Sequence, residues 1–563
     1  MNQQMLVHMH VGEKIEKNNK KKRYRKNLSN INLWVYSKAV FMVAWERVMN
    51  MGEIDLVVYD GTVLTMDDNN TICNWIAVSQ GKIIDLGDGE GYKKYLDYAN
   101  EVLDLDGKTV LPGFYDSHVH LVQTGLNMLD VNLSNVKSIN ELLVLIEKKA
   151  QNMPPGKLIR GIGFDELRLE EQRMPTRYEL DECAPNNPVW INRVEYHTSV
   201  VNSLALHQLS LPYNLEGIAR DERNLPTGLL TGKAGALVRN QIFNTISDQT
   251  RLKAVNKALN KAVENGITTL NAMEGGFTFH DKDAEMIFNN KEVFPIDVVL
   301  FYQTVNIEKI LNKNLSRIGG CIFLDGSFGS RTAALTEAYS DDSSTSGVLF
   351  FSQEDLNEFV LNAHTSHLQV TVHAIGTRAI EQILNAYEYA QSIYPREDHR
   401  HRIEHFELPL EEHIDRAARL GLILSMQPAY EYFWGNKNGM YETRLGPERS
   451  RRTNPLKKIL ERRITVVGGS DSDVTPMNPI LGIHTAVNHP KVEYSVDVMQ
   501  ALKFYTINGA KAVFEEKQKG SIEVGKLGDL VVLDQNPLKV NKAHIKDIKV
   551  MATIKEGNIL FMR

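Results

Sequence analysis

The sequence predicts an α/β fold: a (β/α)8 barrel of the TIM type, with a small composite β-sandwich built from both chain ends and an inserted α+β segment after the first barrel strand. Three observations predict it. Short apolar strands alternate with amphipathic helical stretches through the middle of the chain, the pattern of parallel βα units. Eight such strands can be counted, the number that closes a barrel. Short alternating strands punctuated by Gly, Asp and Asn recur at both ends, in segments too small to bury a core separately. The composition suits a globular enzyme, with 563 residues, 42% hydrophobic and 24% charged.

Residues 1–50 stand apart. The basic run "KKKRYRK" precedes the apolar "NLWVYSKAVFMVAW", but Lys38 interrupts the apolar part and no small-residue cleavage site follows. The expectation is a poorly ordered extension, translated from a start upstream of a natural one at Met49 or Met51. Residues 51–112 read as strands in "IDLVVYDGTVLTM", "NWIAVSQGKIIDLGD" and "EVLDLDGKTVLPG", and 512–563 continue them in "LGDLVVLD" and "IKVMATIKEGNILF". These two segments are assigned to the sandwich. The barrel takes 113–511. Its first strand ends in "DSHVH", and the others are expected at 266–275, 294–302, 319–327, 368–376, 401–408, 421–429 and 463–471. The stretch from about 126 to 244 is too long for one loop and is read as the insertion.

His118 and His120 stand at i and i+2 of the first strand, so their side chains share a face. Two imidazoles so placed can hold one metal ion. Catalytic groups of a (β/α)8 barrel sit at the C-terminal ends of its strands. His373 ends the fifth candidate strand, His405 the sixth and Asp471 the eighth. Neutral imidazole and carboxylate suit Zn²⁺, with Fe²⁺ or Mn²⁺ in its place, at one or two ions per chain.

The motifs "GFYDSHVH", "VHAIG", "RIEHFE" and "GGSD", with "LPTGLL", "DGSFGSRTAAL" and "GSIEVGKLGDLVVLD", resemble the amidohydrolase superfamily. The branch is the amidohydrolase 3 type, typified by N-substituted formamide deformylase. The resemblance runs from about Ile54 to the C-terminus. It implies one or two divalent metals, usually zinc, and hydrolysis of a C–N bond outside ordinary peptides. His118, His120 and Asp471 would hold the more buried metal, and His373 and His405 the second. Asp471 would be general base and acid.

Many members of that superfamily bridge two metals with a carboxylated lysine at the end of strand four. Here Cys321 stands in the corresponding place. Glu274, at the end of strand two, is the preferred replacement and Cys321 the alternative; a single-metal site is the third reading. His197, Asp325 and Arg331 are candidates for binding substrate, and Tyr430 and Trp434 for lining an aromatic pocket. His364, His367, His399, His401 and His413 are assigned surface or structural places.

The expected activity is metal-dependent hydrolysis of a small N-formyl, N-acyl or cyclic amide. An ester or lactone needs the same chemistry and remains an alternative. So does a non-catalytic binding or regulatory protein on this scaffold. A deaminase ranks lower, since "HAIGTRA" lacks the acid that follows the strand-five histidine in adenosine-type deaminases. A net charge of −6 gives no footing for nucleic acid. Three scattered cysteines suit the cytoplasm, and no apolar run reaches the length of a membrane span. The partners expected are a small amide substrate and, in a homodimer, a second copy.

Overall fold

Eight strands pair side by side and parallel in chain order, and they make the barrel: β1 (Phe114–Val119), β2 (Ile267–Glu274), β3 (Asp297–Tyr302), β4 (Arg317–Ile318), β5 (Gln369–Ala374), β6 (Arg402–His405), β7 (Ile423–Met426) and β8 (Thr465–Gly468). A parallel bridge between Val119 and Ser472, just past β8, joins the last strand to the first. This computed structural model describes residues 53–193, 198–212, 214–277 and 279–563. The expectation for residues 1–50 lies outside them. Residues 55–563 form one unit, and among the described residues no helix is long and apolar enough to cross a membrane.

The helices follow from spacing and caps. Asp248–Glu264, which leads into β2, buries Ala254, Val255, Ala258, Leu259, Ala262 and Val263, one face at i, i+3, i+4. Ser247 caps it by accepting the Thr250 N–H. The residues of β1, β2 and β5 are all buried, as expected of strands with helices on one side and a filled barrel on the other.

Strand four departs from expectation. The sequence reading placed it over 319–327, whereas β4 is Arg317–Ile318. Gly319 and Gly320 both take positive φ, 96° and 58°, and turn the chain out of the ladder. A Cβ at Gly319 would lie 2.1 Å from the Thr371 carbonyl oxygen, so only glycine fits. Pairing with β5 resumes at Phe323, bridged to His373. The turned segment carries Cys321 into the barrel interior, beside Tyr115, Met273, Val299 and Phe301.

Two further sheets pack through a core shared by residues 56–110 and 522–554. One orders Lys82–Gly87, Trp75–Ser79, Ile54–Tyr59 and Ala99–Asp104; the other orders Asn558–Met562, Val550–Lys555, Leu530–Leu533, Thr109–Pro112, Thr62–Leu64 and Ile72–Cys73. Leu530–Leu533 runs antiparallel to Thr109–Pro112, so chain segments more than 400 residues apart are neighbours in this sheet. A six-stranded sheet between β1 and β2 orders Ile218–Arg220, Pro226–Leu230, Ser199–Val201, Val189–Arg193, Ile159–Phe164 and Val131–Asn132. Helices Ile139–Gln151 and Arg177–Cys183 cover one of its faces and Gly232–Thr245 the other.

Beside the N-terminal ends of β5 and β6, His364, His399 and His401 form a buried stack. His401 Nδ1 accepts the Val370 N–H at 3.0 Å, so its Nε2 carries the proton and donates to His364 Nδ1 at 2.7 Å. His364 Nε2 donates in turn to the Tyr394 carbonyl, and His399 Nε2 to that of Leu420. All three rings are neutral. Burial holds each pKa down, that of His399 to about 4. The unfolded chain therefore binds protons that the folded one refuses. Stability should be full above the unfolded value of about 6.5 and fall as pH drops toward 4, with His399 alone costing about 3 kcal/mol. A melting-temperature series from pH 7.5 to 4.5 checks this. His399→Asn should flatten the acid limb.

Candidate metal centre

The centre is assembled at the C-terminal rim. Between two paired positions, β1 advances three residues, Asp116 to Val119, while β2 advances two, Leu270 to Ala272. This bulge re-aims the end of β1 and leaves both His118 and His120 facing Asp471. The Nε2 atoms of both lie 3.2 Å from Asp471 Oδ1. The paired glycines before Asp471 permit the approach, since a Cβ at Gly469 would stand 2.6 Å from that of His118. His405 and Asp471 hold positive φ, 73° and 51°, a strained backbone of the kind concentrated at functional sites.

Hydrogen bonds fix which nitrogen each ring presents. His118 Nδ1 donates to Glu404 Oε2 at 2.6 Å, His120 Nδ1 to the Met273 carbonyl at 3.0 Å, and His405 Nδ1 to Gln427 Oε1 at 2.7 Å. Their Nε2 lone pairs are free to ligate. His373 is reversed, because its Nε2 faces the Gly326 carbonyl at 3.1 Å and leaves Nδ1 free. Protein metal ligands are commonly oriented by a partner on the second nitrogen in this way. Two groups of ligand atoms converge at this rim, His118, His120 and Asp471, and His118, Cys321 and His405; a third among the described residues, Glu381, Glu412 and His413, lies on the outer helices Thr377–Ile393 and Glu411–Arg419. His118 Nε2 and Asp471 Oδ1 are buried and take part in no hydrogen bond. Orphaned polar atoms of this kind are rare in folded proteins, and a cation satisfies both.

Cys321 Sγ lies 3.7 Å from His405 Nε2 and 3.8 Å from His373 Nδ1. Sulfur and nitrogen bound tetrahedrally to one zinc stand about 3.5 Å apart, as bond lengths near 2.3 and 2.05 Å require. The spacing fits a shared ion. Burial disfavours the Cys321 thiolate, but His118, His120 and His373 outweigh it and hold the thiol well below its ordinary range. His373 reaches the centre through Cys321.

Glu274, preferred as the bridge from sequence, joins neither group. Its Oε1 accepts the Val122 N–H at 2.9 Å, at the start of helix Leu121–Leu129. Burial, reinforced by Asp283, pushes its carboxyl up to about 8. The helix N-terminus takes Oε1 and directs the carboxyl away from both groups, while Oε2 is buried without a hydrogen bond. Glu274→Gln should therefore leave bound metal per chain unchanged by elemental analysis.

Arg331 is engaged elsewhere, whereas Asp325 stays beside the rim, its Oδ1 3.4 Å from His373 Nε2. Asp325 accepts the N–H groups of Ala334, Ile375 and Gly376, tying the loop after β4 to the end of β5. Arg331 forks onto Asp341 at 2.9 and 3.1 Å. His197 lies outside the described residues. Tyr430, considered for an aromatic pocket, donates its hydroxyl to Asp471 Oδ2 and stacks on His405, with Trp434 against it.

Sequence reasoning missed Glu404 and Gln427, which orient His118 and His405. Glu404 is fully buried against Arg402 and Thr371. Its signal was present in "RIEH", where a carboxylate and a base flank an apolar residue inside an otherwise buried strand. Gln427 gave no comparable signal.

A model of the amidohydrolase family matches residues 101–561. N-substituted formamide deformylase of Arthrobacter pascens is 28% identical over 540 residues, covering 90% of this chain and 98% of that protein. The protein LONG AFTER FAR-RED 3 of Arabidopsis thaliana is 30% identical over 514 residues, 86% of this chain and 87% of its own. The solved structure of an uncharacterized metal-dependent hydrolase from Pyrococcus horikoshii superposes with a TM-score of 0.74 at 28% identity, covering 87% of this chain and 99% of that one. With nearly the whole barrel and its rim of ligands inside the matched span, the chain belongs to the amidohydrolase family.

Proposed function

We propose that the protein hydrolyses a non-peptide C–N bond of a small N-formyl, N-acyl or cyclic amide, with Asp471 moving the proton. The observation that carries this reading is the convergence of His118 Nε2 and His120 Nε2 on one oxygen of Asp471, with every other nitrogen of the two rings already bonded. His118, His120 and Asp471 would hold one divalent cation, zinc first, and His373, His405 and Cys321 a second. When bound there, the cation supplies Lewis acidity, which polarises a carbonyl and lowers the pKa of water from 15.7 to about 7. Asp471 is suited to the proton. Burial works against its charge, but His118 and His120 hold its carboxyl well below the usual range. Its Oδ1 faces His118 and His120 and would ligate the ion, and Oδ2, held by the Tyr430 hydroxyl, would accept a proton from the attacking water and return it to the leaving nitrogen. Glu404, by fixing the His118 ring, keeps its Nε2 turned toward Asp471 Oδ1.

The name of the Arthrobacter relative supports amides of the formyl type. Ester or lactone hydrolysis would use the same groups. A non-catalytic regulatory role finds support in the absence of the strand-four lysine; the converging ligand rim supports the enzyme. Elemental analysis beside a screen of N-formyl amines, N-acyl amino acids and lactones separates these readings. Bound zinc with chelator-sensitive turnover of an amide is the expected result. A metal-free protein inert toward all three classes would favour the regulatory role.

A further inference from the structure

The inserted sheet carries buried polar groups that the metal centre does not use. Register fixes which residues share a face. Arg160 is paired with Trp190 across one ladder, and Asn192 with Ser199 across the next. Trp190 and Asn192 are two apart on one strand, so all four side chains project from the same side. They are 8%, 1%, 1% and 2% exposed in the order Arg160, Trp190, Asn192, Ser199. Each holds a buried atom with no hydrogen-bond partner: Arg160 Nε and Nη2, Trp190 Nε1, Asn192 Nδ2 and Ser199 Oγ. Isolated unpaired donors are rare in folded proteins. Four neighbouring residues with the same deficit, all able to donate, mark a place built for acceptor atoms.

The surroundings narrow the guest. The opposite face of the sheet, with Ile159, Val189, Ile191 and Val200, is apolar core. On the donor side the Phe243 ring lies 5.6 Å from Arg160 Cζ and 6.5 Å from Trp190. Phe243 meets Phe279 at 6.2 Å, and Phe279 meets the metal-centre ring of His120 at 5.2 Å. Two phenyl rings therefore separate the donors from the ligand rim. Asp130 Oδ2 stands 3.0 Å from Arg160 Nη2, and neither atom makes a hydrogen bond. The charge of the guanidinium is balanced while its Nε and Nη2 make no hydrogen bond.

We propose that Arg160, Trp190, Asn192 and Ser199 form a pocket for the carboxylate of a small apolar acid, the Arg160–Trp190 pair serving one oxygen and the Asn192–Ser199 pair the other. The acid is either the far end of the substrate or a separate ligand of the same chemistry. Calorimetric titration of the metal-loaded protein with hexanoate and with hexan-1-ol tests the pocket without turnover, so failure of the hydrolase reading would not obscure the result. Hexanoate should bind at least about tenfold more tightly than the alcohol, and Arg160→Gln should remove that advantage with metal content unchanged. Asn192→Leu leaves the Arg160–Asp130 pair intact and should weaken hexanoate by a similar factor, which keeps the test alive if Arg160→Gln misfolds. Competitive inhibition of amide turnover by hexanoate would assign the pocket to the substrate, and non-competitive inhibition to a separate acid. Equal affinity of hexanoate for the wild type and Asn192→Leu, or no preference for acid over alcohol, would overturn the proposal.

Discussion

Asp471→Asn should cut amide turnover by about 10² to 10⁴-fold, the range a positioned acid–base group contributes. Asparagine keeps the volume and can still accept from Tyr430, but it cannot take a proton from water. The same side chain faces His118 Nε2 and His120 Nε2, so the substitution also weakens the ion held there. The two losses separate when rates are measured across a zinc titration. A rate that stays low at full occupancy assigns the defect to proton transfer, whereas full recovery with excess zinc would reduce Asp471 to a ligand and end its role as base. Tyr430→Phe provides a milder control. It removes the hydroxyl from Oδ2 and leaves both imidazoles in place, so a smaller loss with unchanged metal content is expected.

The barrel and the histidine–aspartate rim were legible because their signals are local. A strand ending in His-X-His, or in Gly-Gly-Ser-Asp, announces itself within a few residues, and the barrel topology brings distant strand ends together. Glu274 shows the limit of such local signals. It ends β2 beside β1 and has the right charge, yet its direction is set by the N–H of Val122, supplied by the next element of a neighbouring strand. The place of Cys321 differs from the one a straight strand gives it. The positive φ of Gly319 and Gly320 breaks that strand and carries the sulfur to the rim, and such a turn is visible only once the glycines are read as a bend. Arg331 and Asp325 stood in a motif facing the barrel mouth. Their partners, Asp341 and the backbone after β5, are fixed by tertiary packing and leave no pattern in the chain.

Replacing Cys321 should change the metal complement itself. The sulfur sits within tetrahedral spacing of His405 and His373, and a thiolate is a soft donor that binds zinc and cobalt strongly. In the cobalt-loaded protein the wild type should show an intense near-ultraviolet thiolate-to-cobalt band, absent from Cys321→Ser, together with loss of about one ion per chain under a competing chelator. Cys321→Lys supplies the complementary arm. If this position does the work of the carboxylated lysine found in many members of the superfamily, the lysine variant should regain the lost ion in bicarbonate and lose it again when carbon dioxide is removed. A wild type without the charge-transfer band would leave Cys321 as a small apolar residue of the barrel interior. The second ion would then have only His373 and His405, too few ligands for a stable site, and the centre would contract to the single ion of His118, His120 and Asp471. The spectrum thus decides both the identity of the bridge and the number of metals on which the proposed chemistry runs.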